Sequence, residues 1–153
     1  MRIAHWLPVV VACLISACAT APSAKSSADE AAHVQARVQE LLNKYEANDQ
    51  AGVIALLDTK ITILGSSMRE TIRTPDQLKA LMARDLSQWG KARFTDVRDM
   101  DVRIGGELAT AWLLFSFQLG DQPSIPIRLA TTWHKRDGEW YLTQSANSVM
   151  TAQ

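Results

Sequence analysis

The second half of the chain is patterned as a sheet, and this restricts the fold more than any other feature. Over residues 92–104 the apolar side chains Phe94, Met100, Val102 and Ile104 fall on even positions, opposed by Asp99, Asp101 and Arg103. A period of two is that of a strand with one face on a core. Gly105-Gly106 turns the chain into a mostly apolar run over residues 110–119, and Pro123 and Pro126 bracket the loop before a strand over residues 127–135. Asp137-Gly138 then predicts a tight hairpin into a last strand over residues 140–146.

A sheet with one apolar face needs a cover, and the first half supplies helices. Ser27 and Glu30 have the spacing of a capping box, and Val34, Val38, Leu41, Leu42 and Tyr45 recur at helical steps after it. Asp49 is placed to cap a short second helix carrying Val53, Ile54, Leu56 and Leu57. Residues 60–64, rich in β-branched side chains, read as a strand, and a short one follows near residues 70–73. Thr74-Pro75-Asp76-Gln77 starts a third helix with a hydroxyl cap, proline at its first position and a glutamine three residues after the cap. Its stripe is Leu78, Leu81, Met82, Leu86 and Trp89, and Gly90 ends it. Three helices with a curled antiparallel sheet make an α+β domain.

Residues 1–18 carry a different signal: Arg2, an apolar run from Trp6 to Ile15, then small residues. The run is too short for a membrane span, which needs about 20 apolar residues, and fits a secretory signal. Its end, Leu14-Ile15-Ser16-Ala17-Cys18, resembles the lipobox of bacterial lipoproteins. That resemblance implies cleavage before Cys18, acylation of its thiol and a membrane anchor; Ala19, where an aspartate would favour inner-membrane retention, implies the outer membrane. An ordinary signal peptide cleaved near residues 19–21 is the competing reading. Residues 1–17 are thus expected as signal peptide, 18–28 as lipidated cysteine and flexible tether, and 29–153 as one domain.

Cys13 and Cys18 are the chain's two cysteines, so the expected mature domain keeps no thiol for a nucleophile, disulfide or zinc site beyond Cys18. Its 16 basic and 16 acidic side chains balance, with no basic cluster or Gly-rich phosphate loop, so neither nucleic acid nor a cofactor or metal is expected.

The order of elements, with Thr131, Trp133, Lys135, Asp137, Gly138, Trp140, Tyr141 and Leu142 and a serine near the end of the last strand, resembles the SnoaL-like branch of the nuclear transport factor 2 (NTF2-like) superfamily. This implies a cone, in which a strongly bent sheet wraps helices around an internal pocket, and pairing of two copies through the sheet's outer face. The superfamily holds isomerases, dehydratases, cyclases and non-catalytic binding domains, so the fold leaves function open.

The candidate pocket residues are Tyr45, Asp85, Trp89, Arg98, Met100 and Gln144. Asp85 lies in or beside the third helix's stripe; desolvated there it would serve as a general base, and paired with an arginine it would not. Arg98 shares the even face with Phe94 and Met100, where it would bind a carboxylate or answer Asp85. Gln144, on the face of Trp140 and Leu142, is expected to look inward. His134 falls on the polar face of its strand, opposite Trp133 and Thr131, and His33 lies off its helix stripe; both are expected at the surface. Trp112 puts bulk on the outer face of a strand whose inner face carries Leu113, Phe115 and Phe117, as a sheet covered on both sides would. Two functions remain: binding of a small apolar or amphipathic ligand or a protein partner, and isomerase, dehydratase or cyclase chemistry with Asp85 as base.

Overall fold

In a computed structural model of the chain, residues 26–65 and 70–151 are described. The expected signal segment, Cys18 and nearly all of the tether lie outside them, as does most of the turn after Gly65. The elements run α1 (Ser27–Glu46), α2 (Gln50–Ala55), β1 (Leu57–Leu64), β2 (Thr71–Ile72), α3 (Pro75–Trp89), β3 (Ala92–Gly105), β4 (Leu108–Leu119), β5 (Ile125–Arg136) and β6 (Glu139–Val149). One six-stranded sheet, ordered β2-β1-β6-β5-β4-β3, curves around the helices. It is mixed, not wholly antiparallel, because β1 enters beside β6 in the parallel sense. No helix among the described residues is long and apolar enough to cross a membrane.

The capping expectations hold for α2 and α3 and shift by one residue for α1. The Asp29 N–H donates to Ser26 Oγ at 3.1 Å and the Ser26 N–H donates to Asp29 Oδ2 at 3.2 Å, so Ser26 is the cap and α1 begins inside the expected tether. Glu30, freed from capping, turns inward. It is 7% exposed, accepts from Trp140 Nε1 at 2.9 Å and pairs with Lys135 Nζ at 2.6 Å. Arg37 Nε adds a bond to the Trp140 carbonyl oxygen at 3.1 Å, so the start of α1 is fastened to the β5–β6 hairpin.

Both hairpin tryptophans are core. Trp133 and Trp140 are fully buried, and Trp133 Nε1 donates to Thr131 Oγ1 at 2.9 Å, whose hydroxyl donates to the Ala111 carbonyl at 3.1 Å. Each indole thereby buries its large apolar body with its one donor satisfied. Asp137 and Gly138 take positive φ values of 53° and 85°, the geometry of a hairpin turn that matches strand twist.

Three bulges decide which side chains face inward. Along β3 the partners run Thr95 with Ser116, Arg98 with Leu114 and Asp101 with Trp112, so one extra residue enters at each step. Asp96 and Asp99 supply them, with φ of 53° and 54°. The first bulge turns Val97 toward the core and Arg98 away; the second restores the parity, so Met100, Val102 and Ile104 again face inward. In β6, Gln144 pairs with Thr132 but Leu142 with Trp133, making Thr143 the extra residue. Beyond it Ser145 and Asn147, not Gln144, turn toward the interior.

Candidate functional site

Between the helices and the concave face of the sheet lies a cavity of about 340 Å³, within the roughly 300–1,000 Å³ usual for small-molecule sites. Its walls come from every layer: Leu41, Leu42 and Tyr45 of α1, Leu78, Leu81 and Trp89 of α3, Ile63 of β1, Phe94 of β3, Phe115 and Phe117 of β4, Ile127 and Leu129 of β5. Phe94 is central to the aromatic part. Its ring lies 5.9 Å from Tyr45, 5.2 Å from Phe115 and 5.4 Å from Phe117, centroid to centroid, the first two edge to face.

The structure brings together Tyr45, Asp85 and Trp89 of the expected set. Trp89 sits at the rim, 49% exposed. It leaves out three. The first β3 bulge sends Arg98 to the outer face, where its side chain is 51% exposed, donates to the Asp96 carbonyl at 3.1 Å and lies 3.9 Å from Asp99. Met100 faces inward but packs at the far end of the strand, beside Ala32, Gln35 and Gln39 of α1, away from the cavity. Gln144 is exposed on the outer face between Thr62 and Thr132, turned there by the Thr143 bulge.

Four polar residues that the pattern did not single out take their places: Glu70, Arg84, Ser145 and Asn147. Arg84 follows from position alone, one residue before Asp85. Ser145 and Asn147 become visible only once the Thr143 bulge is known, and Glu70 belongs to no periodic segment.

Charge is concentrated in one cluster. Both Nε and Nη2 of Arg84 donate to Asp85 Oδ1, at 2.9 and 2.7 Å, and Nη2 lies 3.9 Å from Glu70 Oε1. The Asp85 side chain is 18% exposed, so the pairing reading of this aspartate is the one realised. The Tyr45 phenol has its pKa pushed up from 10.0 to about 12, first by burial, then by the negative charges of Asp85 and Glu70, with Arg84 opposing. It stays a protonated donor at ordinary pH, and no hydrogen bond holds it among the described residues. The Asn147 Oδ1 atom is fully enclosed and likewise has no partner among them.

No histidine lines this cavity. His134 stands on the outer face, its side chain 39% exposed and Nδ1 3.9 Å from Asp58 Oδ2; His33 lies with Nε2 3.5 Å from Glu139 Oε2, near the hairpin.

The SnoaL-like domain family matches residues 34–152, most of the chain. No curated protein sequence matches. Among solved structures, an NTF2-like protein of unknown function from Pseudomonas putida is similar at 16% identity, covering 83% of this chain and 91% of that one, with a TM-score of 0.73. A provisionally assigned dehydratase of the NTF2-like family from Streptomyces avermitilis is similar at 12% identity over 83% and 100% of the two chains, TM-score 0.73. A provisionally assigned scytalone dehydratase from Novosphingobium aromaticivorans is similar at 10% identity over 81% and 86%, TM-score 0.71. At these identities the structures speak for the fold alone. With the family match, they place this chain in the SnoaL-like domain family of the NTF2-like superfamily.

Proposed function

We propose that this domain is a non-catalytic binding module for a small, largely apolar molecule, held at the bacterial envelope through lipidated Cys18. The observation that carries the reading is the pairing inside the cavity: the one acid placed to act as a base, Asp85, has an oxygen occupied by two Arg84 N–H groups. General acid-base work also needs a second group matched to it, and no histidine or lysine lines the cavity among the described residues. What remains is an apolar, aromatic-walled space with a few polar groups to orient a guest. One observation favours an isomerase, dehydratase or cyclase: Asp85 and a protonated Tyr45 line the same cavity.

Native mass spectrometry of the protein purified from its own envelope tests the binding reading. A reproducible extra mass that disappears in a folded Ser145→Trp variant, where an indole fills the cavity, supports it; an empty protein overturns it. Mass spectrometry of the natural N-terminus tests the anchor, which an unmodified start beyond Cys18 would exclude. Pairing of two copies through the sheet is part of the proposal. Trp112, 43% exposed, supports it: the indole lies in a row with the small side chains Ala130 and Ala146, and such a projection beside a shallow dip is self-complementary under a two-fold axis. Sedimentation of a Trp112→Asp variant would show monomers where the native chain shows dimers.

A further inference from the structure

The cavity's electrostatics are one-sided. Three charged groups line it, the carboxylates of Glu70 and Asp85 and the guanidinium of Arg84, leaving one negative charge in excess among the described residues. The arginine is committed mainly to Asp85, at 2.7 Å, and stands 3.9 Å from Glu70. Glu70 is held at the mouth by its neighbour: its side chain lies across Gly65, where an added Cβ would overlap it. The Gly65 N–H also donates to the Glu70 carbonyl at 2.7 Å. The Tyr45 phenol senses the sum, since the two carboxylates raise its pKa while the arginine lowers it, with burial the largest cause. Deeper in, the enclosed Asn147 Oδ1 is an acceptor without a donor among the described residues.

We infer that the molecule taken here is a monocation: an amine with an apolar, ring-bearing body, its ammonium beside Glu70 and Asp85 and its ring against Phe94, Phe115 and Phe117. An anion would add to the excess charge in a partly desolvated site. An uncharged guest would remove water from Glu70 without replacing it by a donor of positive charge. A protonated amine supplies both N–H donors and the missing charge, and its hydrocarbon meets rings whose faces also attract cations. This inference rests on the binding reading above.

The test uses the full chain in phosphatidylcholine nanodiscs, with empty nanodiscs subtracted, titrated calorimetrically at pH 7 with three probes of one shape: 4-phenylbutylamine, 4-phenylbutan-1-ol and 4-phenylbutyrate. The amine is expected to bind at least tenfold more tightly than the alcohol, equivalent to about 1.4 kcal/mol, and the acid most weakly. Glu70→Gln is expected to lower the amine-to-alcohol ratio at least threefold, and Arg84→Gln, removing the opposing charge, to raise it. Circular dichroism confirms that each variant is folded. An alcohol or acid that binds as tightly as the amine overturns the charge assignment and leaves the cavity as a binding site. An amine preference that neither variant moves also overturns it. If none of the three probes binds, the binding reading falls with it.

Discussion

Replacing Glu30 by alanine removes the acceptor on which the two halves of the molecule meet. In the native fold its carboxylate takes one bond from Trp140 Nε1 at 2.9 Å and one from Lys135 Nζ at 2.6 Å, and the glutamate is only 7% exposed. After truncation the indole N–H of a fully buried tryptophan has lost its acceptor, at a cost of about 1–3 kcal/mol. Breaking a buried ion pair from one side costs about 3–5 kcal/mol. Lys135, with a side chain 26% exposed, can turn partly to water, which moves the sum toward the lower end. The expected loss is about 3 kcal/mol, or roughly 10 °C in Tm for a domain of this size. Glu30→Gln keeps an oxygen for the indole and loses only the charge, so about 1 kcal/mol is expected. Urea unfolding followed by tryptophan fluorescence measures both. An alanine variant within about 1 kcal/mol of the native chain, or a glutamine variant as unstable as the alanine one, would refute the reasoning.

The Tyr45 phenol gives an alkaline signature. With a folded pKa of about 12 against 10.0, the unfolded state ionises first. Stability therefore declines as pH rises from 10 toward 12, by about 2.7 kcal/mol in the two-unit limit, and Tyr45→Phe flattens that decline in pH-dependent urea unfolding. Asp58 acts at the acid end. The Lys60 N–H first, then Thr59 and Arg136, hold its pKa below 3.8, so its stabilisation is present above that value and lost as pH falls through the folded one; Asp58→Asn should be less stable at pH 7 and less sensitive to acid. Two glycines separate backbone strain from crowding. Gly120, at φ 56°, has the Trp89 carbonyl oxygen where a Cβ would go, whereas Gly138, at φ 85°, faces open space. Thermal melts should show Gly120→Ala losing over ~2 kcal/mol and Gly138→Ala only about 1 kcal/mol.

The elements were legible because most of the chain obeys its periods without interruption. β4 and β5 alternate strictly, and Leu113, Phe115, Ile127, Leu129 and Trp133 face inward as their parity requires. In α1 and α3 the stripes led directly to Tyr45, Asp85 and Trp89. Arg98 and Gln144 were misplaced for one reason: an inserted residue changes the face of every side chain after it, and alternation alone does not show where the insertion sits. Aspartates three apart, Asp96 and Asp99, are the trace of it in β3, since Asp tolerates positive φ better than most residues. Met100 fails differently. Parity fixes the face of a strand and says nothing of the distance along it, and the cavity occupies one end. Glu70 follows a segment too short to have a period, so only the folded chain places it beside Arg84.

The aspartate bulges of β3 also bear on how copies of this chain behave when crowded together. β3 is an outer strand of the sheet, and fourteen residues of open ladder would invite a strand from a neighbouring molecule to zip on. Two breaks in register within seven residues leave no long regular stretch to copy, and the charged side chains of Arg93, Arg98 and Arg103 project beside them. At the opposite margin β2 is two residues long, too short to template anything. A sheet blunted at both margins resists growth into fibrils, a safeguard of particular value to a protein concentrated on a surface, where neighbours meet far more often than in free solution.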